Sequence, residues 1–481
     1  MNQFLHSFCL EAVEKIFYGG SVVKKKKKAN APSEFSKEYT VSKALVKGDI
    51  FTKLSFLIMG LGNIVRKQFI KGLLFLAVEV GFIYFMVAYG IQNLSMLPSL
   101  GDREGGYQLD PTGQFMEYVA GDDSKLILLY GVVSAVICVA FFLFWRETVK
   151  SAYMAEVLKK KGKPVRTFVE DVKSLFDVNL HKLLLALPII GVLAFTILPL
   201  IYMILMAFTN YSKVNDHLVL FDWVGLKNFG EIVSLKSSIG KQFWSVTGWT
   251  IVWAILATFL NYILGMLLAI IINRKGTKLK GMWRFIFILS IAIPQFVSLL
   301  IIRTLFADEG PINLILKTNH VITNSVHFLS DTTLARVMVV LINLWIGIPY
   351  TMLQVTGILQ NIPTDLYEAA KVDGANAVTT FFKITLPYML FVTGPYLVTT
   401  FTGNINNFNV IFLLTGGAPI KVGNSAGQTD LLVTWLYKLT ISENRYNVGA
   451  VIGIMTFIVL AIVSIVTYRN TAAYKDEEGF Q

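Results

Sequence analysis

The stretch EAAKVDGANAVTTFFKITLP, from Glu368 to Pro387, lies between two strongly apolar segments of the chain. It is charged, and it has a glycine, Gly374, near its middle. A connector between adjacent helices needs only a few residues, whereas residues 360–387 form a much longer one. Small, aromatic and charged side chains on an exposed connector of this length are typical of a docking element rather than of a simple link.

Local signals in this connector predict two short helices. Asp365 and Glu368 are three residues apart, which is the spacing of a capping box at a helix start. Gly374 is expected to end the first helix, because glycine adopts a left-handed terminus at little cost. A second helix is expected to lead into the next apolar segment at Pro387, since proline is tolerated in a first helical turn.

The composition indicates a polytopic membrane protein. Of 481 residues, 54% are hydrophobic and 15% charged, and the mean hydropathy is +0.59. Soluble proteins are about 45–50% apolar and about 25% charged. The two cysteines form neither a disulfide framework nor a metal site. The sequence contains no nucleotide-binding, zinc-protease or Ser-His-Asp pattern, so no catalytic residue, metal site or cofactor is predicted.

Hydropathy predicts an all-α protein with eight transmembrane helices, because the apolar runs have the length of about 20 residues that crosses a bilayer. The predicted spans are 72–91, 126–145, 183–208, 247–272, 285–307, 337–359, 388–407 and 447–468.

The distribution of lysine and arginine predicts the orientation. Basic residues precede the first span, at Lys24 to Lys28, and also fill the loops after the second and fourth spans. Basic loops stay in the cytoplasm, so both termini and the Glu368 connector are predicted to be cytoplasmic. These loops account for the formal net charge of +12 without nucleic-acid binding. Glu79, an ionisable residue in the first span, is expected to make a local polar contact.

The whole register of the connector resembles the EAA motif of ABC importer permeases, in which E-A-A is followed by glycine and then by I-x-L-P. The residues in register are Glu368, Ala369, Ala370, Gly374, Ile384, Leu386 and Pro387. The resemblance implies that this loop carries a coupling helix that docks into a cytoplasmic ATPase subunit. It assigns that contact to Leu366, Tyr367, Glu368, Ala369, Ala370, Asp373 and Gly374.

Residues 180–470 further resemble MalF-type permeases of maltose/maltodextrin importers, with the motif after the sixth span and a polar NINNF ending the seventh. This resemblance implies a type I ABC importer permease fold in a bacterial cell membrane. The implied partners are a second, MalG-like permease subunit, two MalK-like cytoplasmic ATPase subunits, an extracellular sugar-binding protein and membrane lipid. Because the loop at 209–246 is short, where enterobacterial relatives carry a large insertion, a Gram-positive source is expected.

Four regions are predicted on this basis. Residues 1–70 are a cytoplasmic or interfacial segment, and 71–182 hold two peripheral helices with their connecting loops. Residues 183–468 are the permease core with its coupling loop at 360–387, and 469–481 are a cytoplasmic tail.

Uncharged polar residues in the sixth and seventh spans suggest a path for a neutral sugar, whose hydroxyls must be paired when stripped of water. Positions 400, 404 and 407 are four and three apart and would share a helix face, while Asn406 would point elsewhere. Such residues can also simply hold helices together in lipid. The MalF resemblance assigns the sugar contacts to Ile346, Gly347, Tyr350, Thr400, Gly403, Asn404 and Asn407, with Gly403 replacing an enterobacterial aromatic residue.

The predicted function is that of a permease subunit in an ATP-driven importer, forming the alternating-access path for maltose or malto-oligosaccharides with a second permease. One alternative is a permease of the same class for raffinose or a galacto-oligosaccharide. Another is an ion-coupled secondary sugar carrier, which would need acidic residues at mid-membrane. Spans two to eight have almost none.

Overall fold

The computed structural model describes residues 39–109, 114–274 and 276–469. Within these ranges the chain is mainly helical, as hydropathy predicts, and it adds one β-hairpin that the sequence did not indicate. The described residues divide into two compact units, one within residues 39–88 and 137–186 and one within residues 89–136 and 187–469. The Lys24 to Lys28 run and all but the first residue of the predicted tail lie outside the described ranges.

The first half of the described chain contains nine α-helices and the hairpin. The helices are α1 (Val41–Lys47), α2 (Ile50–Leu54), α3 (Leu61–Val65), α4 (Phe69–Phe85), α5 (Ile91–Met96), α6 (Ser124–Lys160), α7 (Phe168–Leu175), α8 (Leu180–Val192) and α9 (Leu198–Met206). Single π-helical turns join α4 to α5 and α8 to α9. The hairpin pairs β1 (Gly106–Leu109) with β2 (Met116–Val119) antiparallel.

The second half contains the helices that form the candidate site. They are α10 (Lys227–Val233), α11 (Ser238–Asn273), α12 (Lys280–Ala292), α13 (Gln295–Leu305), α14 (Pro311–Thr318), α15 (Thr332–Asn361), α16 (Thr364–Val372), α17 (Ala377–Thr380), α18 (Leu386–Ile405), α19 (Phe408–Leu414), α20 (Leu432–Tyr437) and α21 (Tyr446–Arg469). Further π-helical turns follow α17 and α20.

Seven helical segments of the described ranges are long and apolar enough to cross a membrane. They are Phe69–Met96, Ser124–Lys160, Leu180–Met206, Ser238–Asn273, Thr332–Asn361, Ala377–Leu414 and Tyr446–Arg469. Each corresponds to one of the eight predicted spans.

The fifth predicted span, 285–307, is not one straight helix. Helices α12 and α13 meet at Ile293 and Pro294 with a bend of 86°. Both residues have extended backbones, with ψ of 125° and 129°. Proline has no N–H to donate, and it disfavours helical geometry in the preceding residue, so the helix must stop there. The pair is either one broken span or a re-entrant loop, so the described residues hold seven or eight candidate spans.

In the unit of residues 39–88 and 137–186, a buried ion cluster holds the N-terminal helices. Arg66 lies 2.7 Å from the Asp49 carboxylate and 3.5 Å from that of Glu156. Burial raises the pKa of Asp49, but the Thr52 amide and the Arg66 guanidinium outweigh it, so the pKa lies below its ordinary value. Removing one partner of such a cluster leaves a buried charge unpaired, which is costly.

Glu79 makes the local polar contact that was expected of it. Its Oε2 accepts a hydrogen bond from the backbone N–H of Met59 at 2.8 Å. The carboxylate of the first span therefore serves the packing of the segment that precedes it.

In the unit of residues 89–136 and 187–469, α11 is the helix around which the others pack. Its side chains enter three apolar clusters in turn, around Phe243, Trp253 and Tyr262. Helices α15 and α18 pack along it. The two helices that carry the predicted sugar contacts are thus positioned by the same third helix.

Candidate functional site

The polar end of the seventh predicted span is a break between two helices. Helix α18 ends at Ile405, and Asn407 is the N-cap of α19. Its Oδ1 accepts a hydrogen bond from the backbone N–H of Val410 at 3.3 Å. The prediction that position 407 shares a continuous helical face with 400 and 404 is therefore wrong. The physical reason is capping, because an asparagine amide pairs an N–H that the first helical turn leaves unpaired.

Asn404 and Asn407 nevertheless meet through their side chains. Asn407 Nδ2 donates to Asn404 Oδ1 at 3.4 Å, and Asn404 Nδ2 donates to Thr258 Oγ1 at 3.0 Å. Asn404 is 9% exposed and Thr258 is 1% exposed. Asn406 is exposed, and among the described residues its side chain has no hydrogen bond to this pair. The two amides form one connected chain that ends on α11.

Trp253 of α11 supports the backbone at the same place. Its indole Nε1 donates to the carbonyl oxygen of Asn404 at 3.0 Å, and its side chain is fully buried. The same carbonyl oxygen also accepts from the backbone N–H of Asn407 at 3.2 Å, so a side-chain donor and a backbone donor both hold the end of α18. Sequence reasoning missed Trp253 and Thr258, since a tryptophan and a threonine in an apolar helix carry no specific signal.

The half of the predicted site on α15 also lies against α11. A Cβ added at Gly347 would overlap the side-chain amide of Asn261. Ile346 packs against the apolar cluster that contains Trp253. Close packing of α15 against α11 therefore accounts for the glycine at 347 without a sugar contact.

Tyr350, Thr400 and Gly403 form the accessible part of the predicted site. Tyr350 is 51% exposed, and Thr400 is half-buried. Within the described ranges, neither side-chain hydroxyl has a hydrogen-bond partner, so both remain available to a neutral ligand. No atom lies within 4 Å of the position that a Cβ of Gly403 would take. The space beside Gly403 is therefore open to a larger side chain or to a ligand.

The connector forms the two predicted helices, α16 and α17. Pro363 is the N-cap of α16 without a side-chain cap, so the predicted capping box of Asp365 and Glu368 is not formed. Asp365 lies instead in the first turn, where a carboxylate interacts favourably with the helix dipole. Gly374 ends α16 with φ of +74°, the left-handed conformation that the sequence predicted.

The predicted coupling residues divide between two faces of α16. Tyr367 and Ala370 face inward, and the Tyr367 hydroxyl is hydrogen-bonded to Thr385 Oγ1 at 3.1 Å. Leu366 is 44% exposed. The other exposed members of the set are Glu368, Ala369, Asp373 and Gly374.

Uncovered apolar side chains extend this exposed face. Val372, Val378 and Phe382 are all exposed, Val372 at 87%. A group of exposed large apolar side chains beside charges is typical of a protein-docking surface.

Comparison with known proteins assigns this architecture to a family. Residues 261–473 match the family described as binding-protein-dependent transport system inner membrane component. The maltodextrin transport system permease protein MalC of Streptococcus pneumoniae serotype 4 is 34% identical over 437 residues, which cover 88% of this chain and 96% of MalC. The galactooligosaccharides transport system permease protein GanP of Bacillus subtilis is 32% identical over 426 residues, covering 88% and 97%.

One solved structure with a similar fold is a bacterial alginate ABC transporter in complex with an alginate pentasaccharide-bound periplasmic protein. It matches with a TM-score of 0.51 and 21% identity over 63% of this chain and 97% of that chain. At this identity the likeness concerns the fold alone.

Proposed function

We propose a function from one premise: this chain belongs to the family of binding-protein-dependent transport system inner-membrane components. It is a multi-pass membrane protein with the type I ABC importer permease fold, as the sequence predicted. Its function is that of a sugar-importer permease, and maltodextrin is the best-supported sugar. The family's members are transport permeases rather than enzymes.

A single observation carries the proposal: 34% identity to a maltodextrin permease extends over 88% of this chain. The candidate site is compatible with that cargo, because it presents hydroxyls and amides and no charged group. Neutral donors and acceptors suit a sugar, whose hydroxyls each donate and accept hydrogen bonds.

The proposed mechanism divides the work among partners. The exposed face of α16, with Leu366 and Glu368, docks into one of two separate cytoplasmic ATPase subunits. A second permease subunit completes the path, and an extracellular sugar-binding protein delivers the sugar. Closure of the ATPases then moves α16 and switches the path, lined by Tyr350, Thr400 and the Asn404–Asn407 pair, between outward and inward access.

We propose that both termini are cytoplasmic, that 183–468 form the core, and that 71–182 are peripheral. Between α9 and α11, the chain holds only a short 3₁₀ turn (Val214–Asp216) and α10. That short connection supports a Gram-positive source.

A galacto-oligosaccharide remains the second candidate cargo. It is favoured by the 32% identity to GanP over 88% of this chain. An ion-coupled carrier is disfavoured, because none of the described residues of the candidate site is acidic.

Uptake measurements test the proposal. Cells lacking the chain, and the same cells with it restored, are given radiolabelled maltose, maltotriose or a galacto-oligosaccharide. We expect the restored chain to recover uptake of maltotriose, and that uptake to stop on ATP depletion but to survive a protonophore while ATP is maintained. Uptake that collapses with the protonophore at constant ATP would refute an ATP-driven importer, and recovery of the galacto-oligosaccharide alone would replace the cargo.

A further inference from the structure

We propose that Thr258 of α11 sets the direction in which the Asn404 amide faces the transport path, and is thereby a positioning residue for sugar selection. Thr258 is 1% exposed, and it is not one of the residues predicted to contact the sugar. The inference rests on the proposed sugar-import function and deepens it, because it adds a residue from a third helix to the control of the site.

The orientation of the amides begins at a helix start. The backbone N–H of Val410 can only donate, and Asn407 Oδ1 accepts from it at 3.3 Å. The carbonyl end of the Asn407 amide is therefore directed into α19, and its Nδ2 is directed away from it. That Nδ2 meets Asn404 Oδ1 at 3.4 Å.

The same constraint passes to Asn404 and ends on Thr258. Because Asn404 Oδ1 faces the Asn407 donor, Asn404 Nδ2 faces the opposite way and donates to Thr258 Oγ1 at 3.0 Å. An amide nitrogen cannot accept, so the Thr258 hydroxyl must be the acceptor. Both residues are buried, and water cannot easily replace this bond.

The relay decides which groups a sugar meets. A primary amide has two N–H donors and two carbonyl lone pairs. At Asn404 the relay uses one of each, so one donor and one acceptor remain, in an orientation set by Thr258 and Asn407. Without the Thr258 acceptor, a buried N–H would be unpaired, and a rotated amide would become favourable. The sugar would then face an amide N–H where the carbonyl oxygen should be, and a carbonyl oxygen where the N–H should be.

The backbone of Asn404 is held independently, by Trp253. Loss of the Thr258 hydroxyl should therefore turn the amide without moving the end of α18. This makes the effect one of orientation rather than of folding.

The chain offers a matched control on the same helix. Thr250 is also 1% exposed, and its Oγ1 accepts a hydrogen bond from the backbone N–H of Leu432 at 3.1 Å. Thr250→Val removes one buried acceptor from α11 about two helical turns before Thr258, whereas Thr258→Val removes the acceptor that pairs with Asn404. Thr258→Ser keeps the acceptor and serves as the rescue.

The experiment uses the full chain with two readouts. One is the initial uptake rate of maltose and of maltotriose in cells carrying each variant. The other is amide hydrogen exchange over residues 406–414 in the purified chain. We expect Thr258→Val to reduce uptake by roughly 2- to 10-fold, to change the ratio of the two sugars, and to speed exchange at the start of α19. Thr258→Ser should resemble wild type, and Thr250→Val should leave both the ratio and the exchange unchanged.

Each readout can overturn the inference. Unchanged exchange in Thr258→Val would show that no relay links Thr258 to α19. Faster exchange with an unchanged sugar ratio, or an equal change of ratio in Thr250→Val, would show that Thr258 only stabilises the fold. If the wild-type chain transports neither sugar, the proposed function fails, whereas the exchange rates still decide whether Thr258 orients the amides.

Discussion

The side-chain amide of Asn407 donates to that of Asn404 across the break between α18 and α19, with Nδ2 and Oδ1 3.4 Å apart. One amide caps a helix and the other is buried against α11. The pair therefore joins a structural role to the proposed sugar contact, and substitutions can separate the two.

Asn407→Asp should keep the cap and lose the donor to Asn404. The carboxylate can still accept from the Val410 N–H. Its second oxygen would replace the N–H donor that faces Asn404 Oδ1, so two oxygen atoms would face each other without a hydrogen bond. We expect normal assembly and a fall in maltotriose uptake of roughly 10-fold, because a buried pairing becomes a repulsion.

Membrane content and initial uptake rates would measure this effect. Asn407→Ala should lose the cap as well and lower the amount of folded protein. Asn406→Ala is the control, since Asn406 is exposed, and it should retain most uptake. Equal uptake by all three variants would mean that the asparagines only hold helices together.

Gly403→Phe should shift the uptake preference of the protein from maltotriose towards maltose. The space beside Gly403 is open, and an aromatic ring would fill it and offer a stacking surface. We expect the maltotriose-to-maltose uptake ratio to fall, with Gly403→Ala close to wild type because a methyl group occupies little of that space. An unchanged ratio in Gly403→Phe would place this position outside the sugar path.

Glu368→Ala should weaken the association of the ATPase subunits. A charge pair enclosed in an interface costs about 2–5 kcal/mol when one partner is truncated, whereas an exposed pair is worth about 0–1 kcal/mol. Co-purification of the ATPases with the chain, and uptake per ATP hydrolysed, would measure the effect.

Two further variants of the connector help to interpret the effect of Glu368→Ala: one is a control and the other is a second test. Asp365→Ala removes an exposed carboxylate of the same helix outside the predicted contact, and it should co-purify normally. Gly374→Val should impair coupling, because φ of +74° costs a side-chain-bearing residue about 1–2 kcal/mol. Normal transport by both Glu368→Ala and Gly374→Val would remove this surface from the mechanism.

Lys438→Met should destabilise the fold in a pH-dependent way. Lys438 Nζ lies 2.6 Å from Asp430 Oδ2, and Asp430 is fully buried. Burial raises the pKa of Asp430, and Lys438 opposes that shift. Without Lys438 the cost is about 3–5 kcal/mol near neutral pH, because the carboxylate is buried unpaired.

The sign of the pH dependence follows from the direction of that shift. In Lys438→Met the folded-state pKa of Asp430 lies above the unfolded one, so the folded state binds the proton more tightly. The variant should therefore gain stability as the pH falls from about 8 to about 5. Melting temperatures across this range would measure it, with Lys421→Met as an exposed control. A profile parallel to wild type would contradict the role given to Lys438.

The positions of the spans and of the connector could be predicted, because both depend on local pattern. An apolar run of suitable length indicates a span, and Gly374 indicates a left-handed helix end. The bend at Pro294 could not be measured from sequence, since a straight and a broken span have the same hydropathy. Likewise, an asparagine at position 407 is compatible both with a continuing helix and with the N-cap of a new one, so the break after α18 could not be predicted.

Only part of the candidate site could be predicted from the sequence, for a different reason. Asn404 and Asn407 stand out as amides in an apolar span, whereas their partners do not. Thr258 lies 146 residues before Asn404 and Trp253 lies 151 residues before it, so only the packing of α11 against α18 brings them together.

The initial rate of maltotriose uptake, in cells whose own copy of the chain is replaced by Asn404→Ala, tests the central claim most directly. The variant must be present in the membrane at the wild-type amount, with the proposed ATPase subunits bound. We predict that wild type restores uptake and that Asn404→Ala restores less than about one tenth of it, since the variant loses both groups that remain for the sugar. Uptake by Asn404→Ala at the wild-type rate would contradict the account, because the amide pair would then not be part of the sugar path.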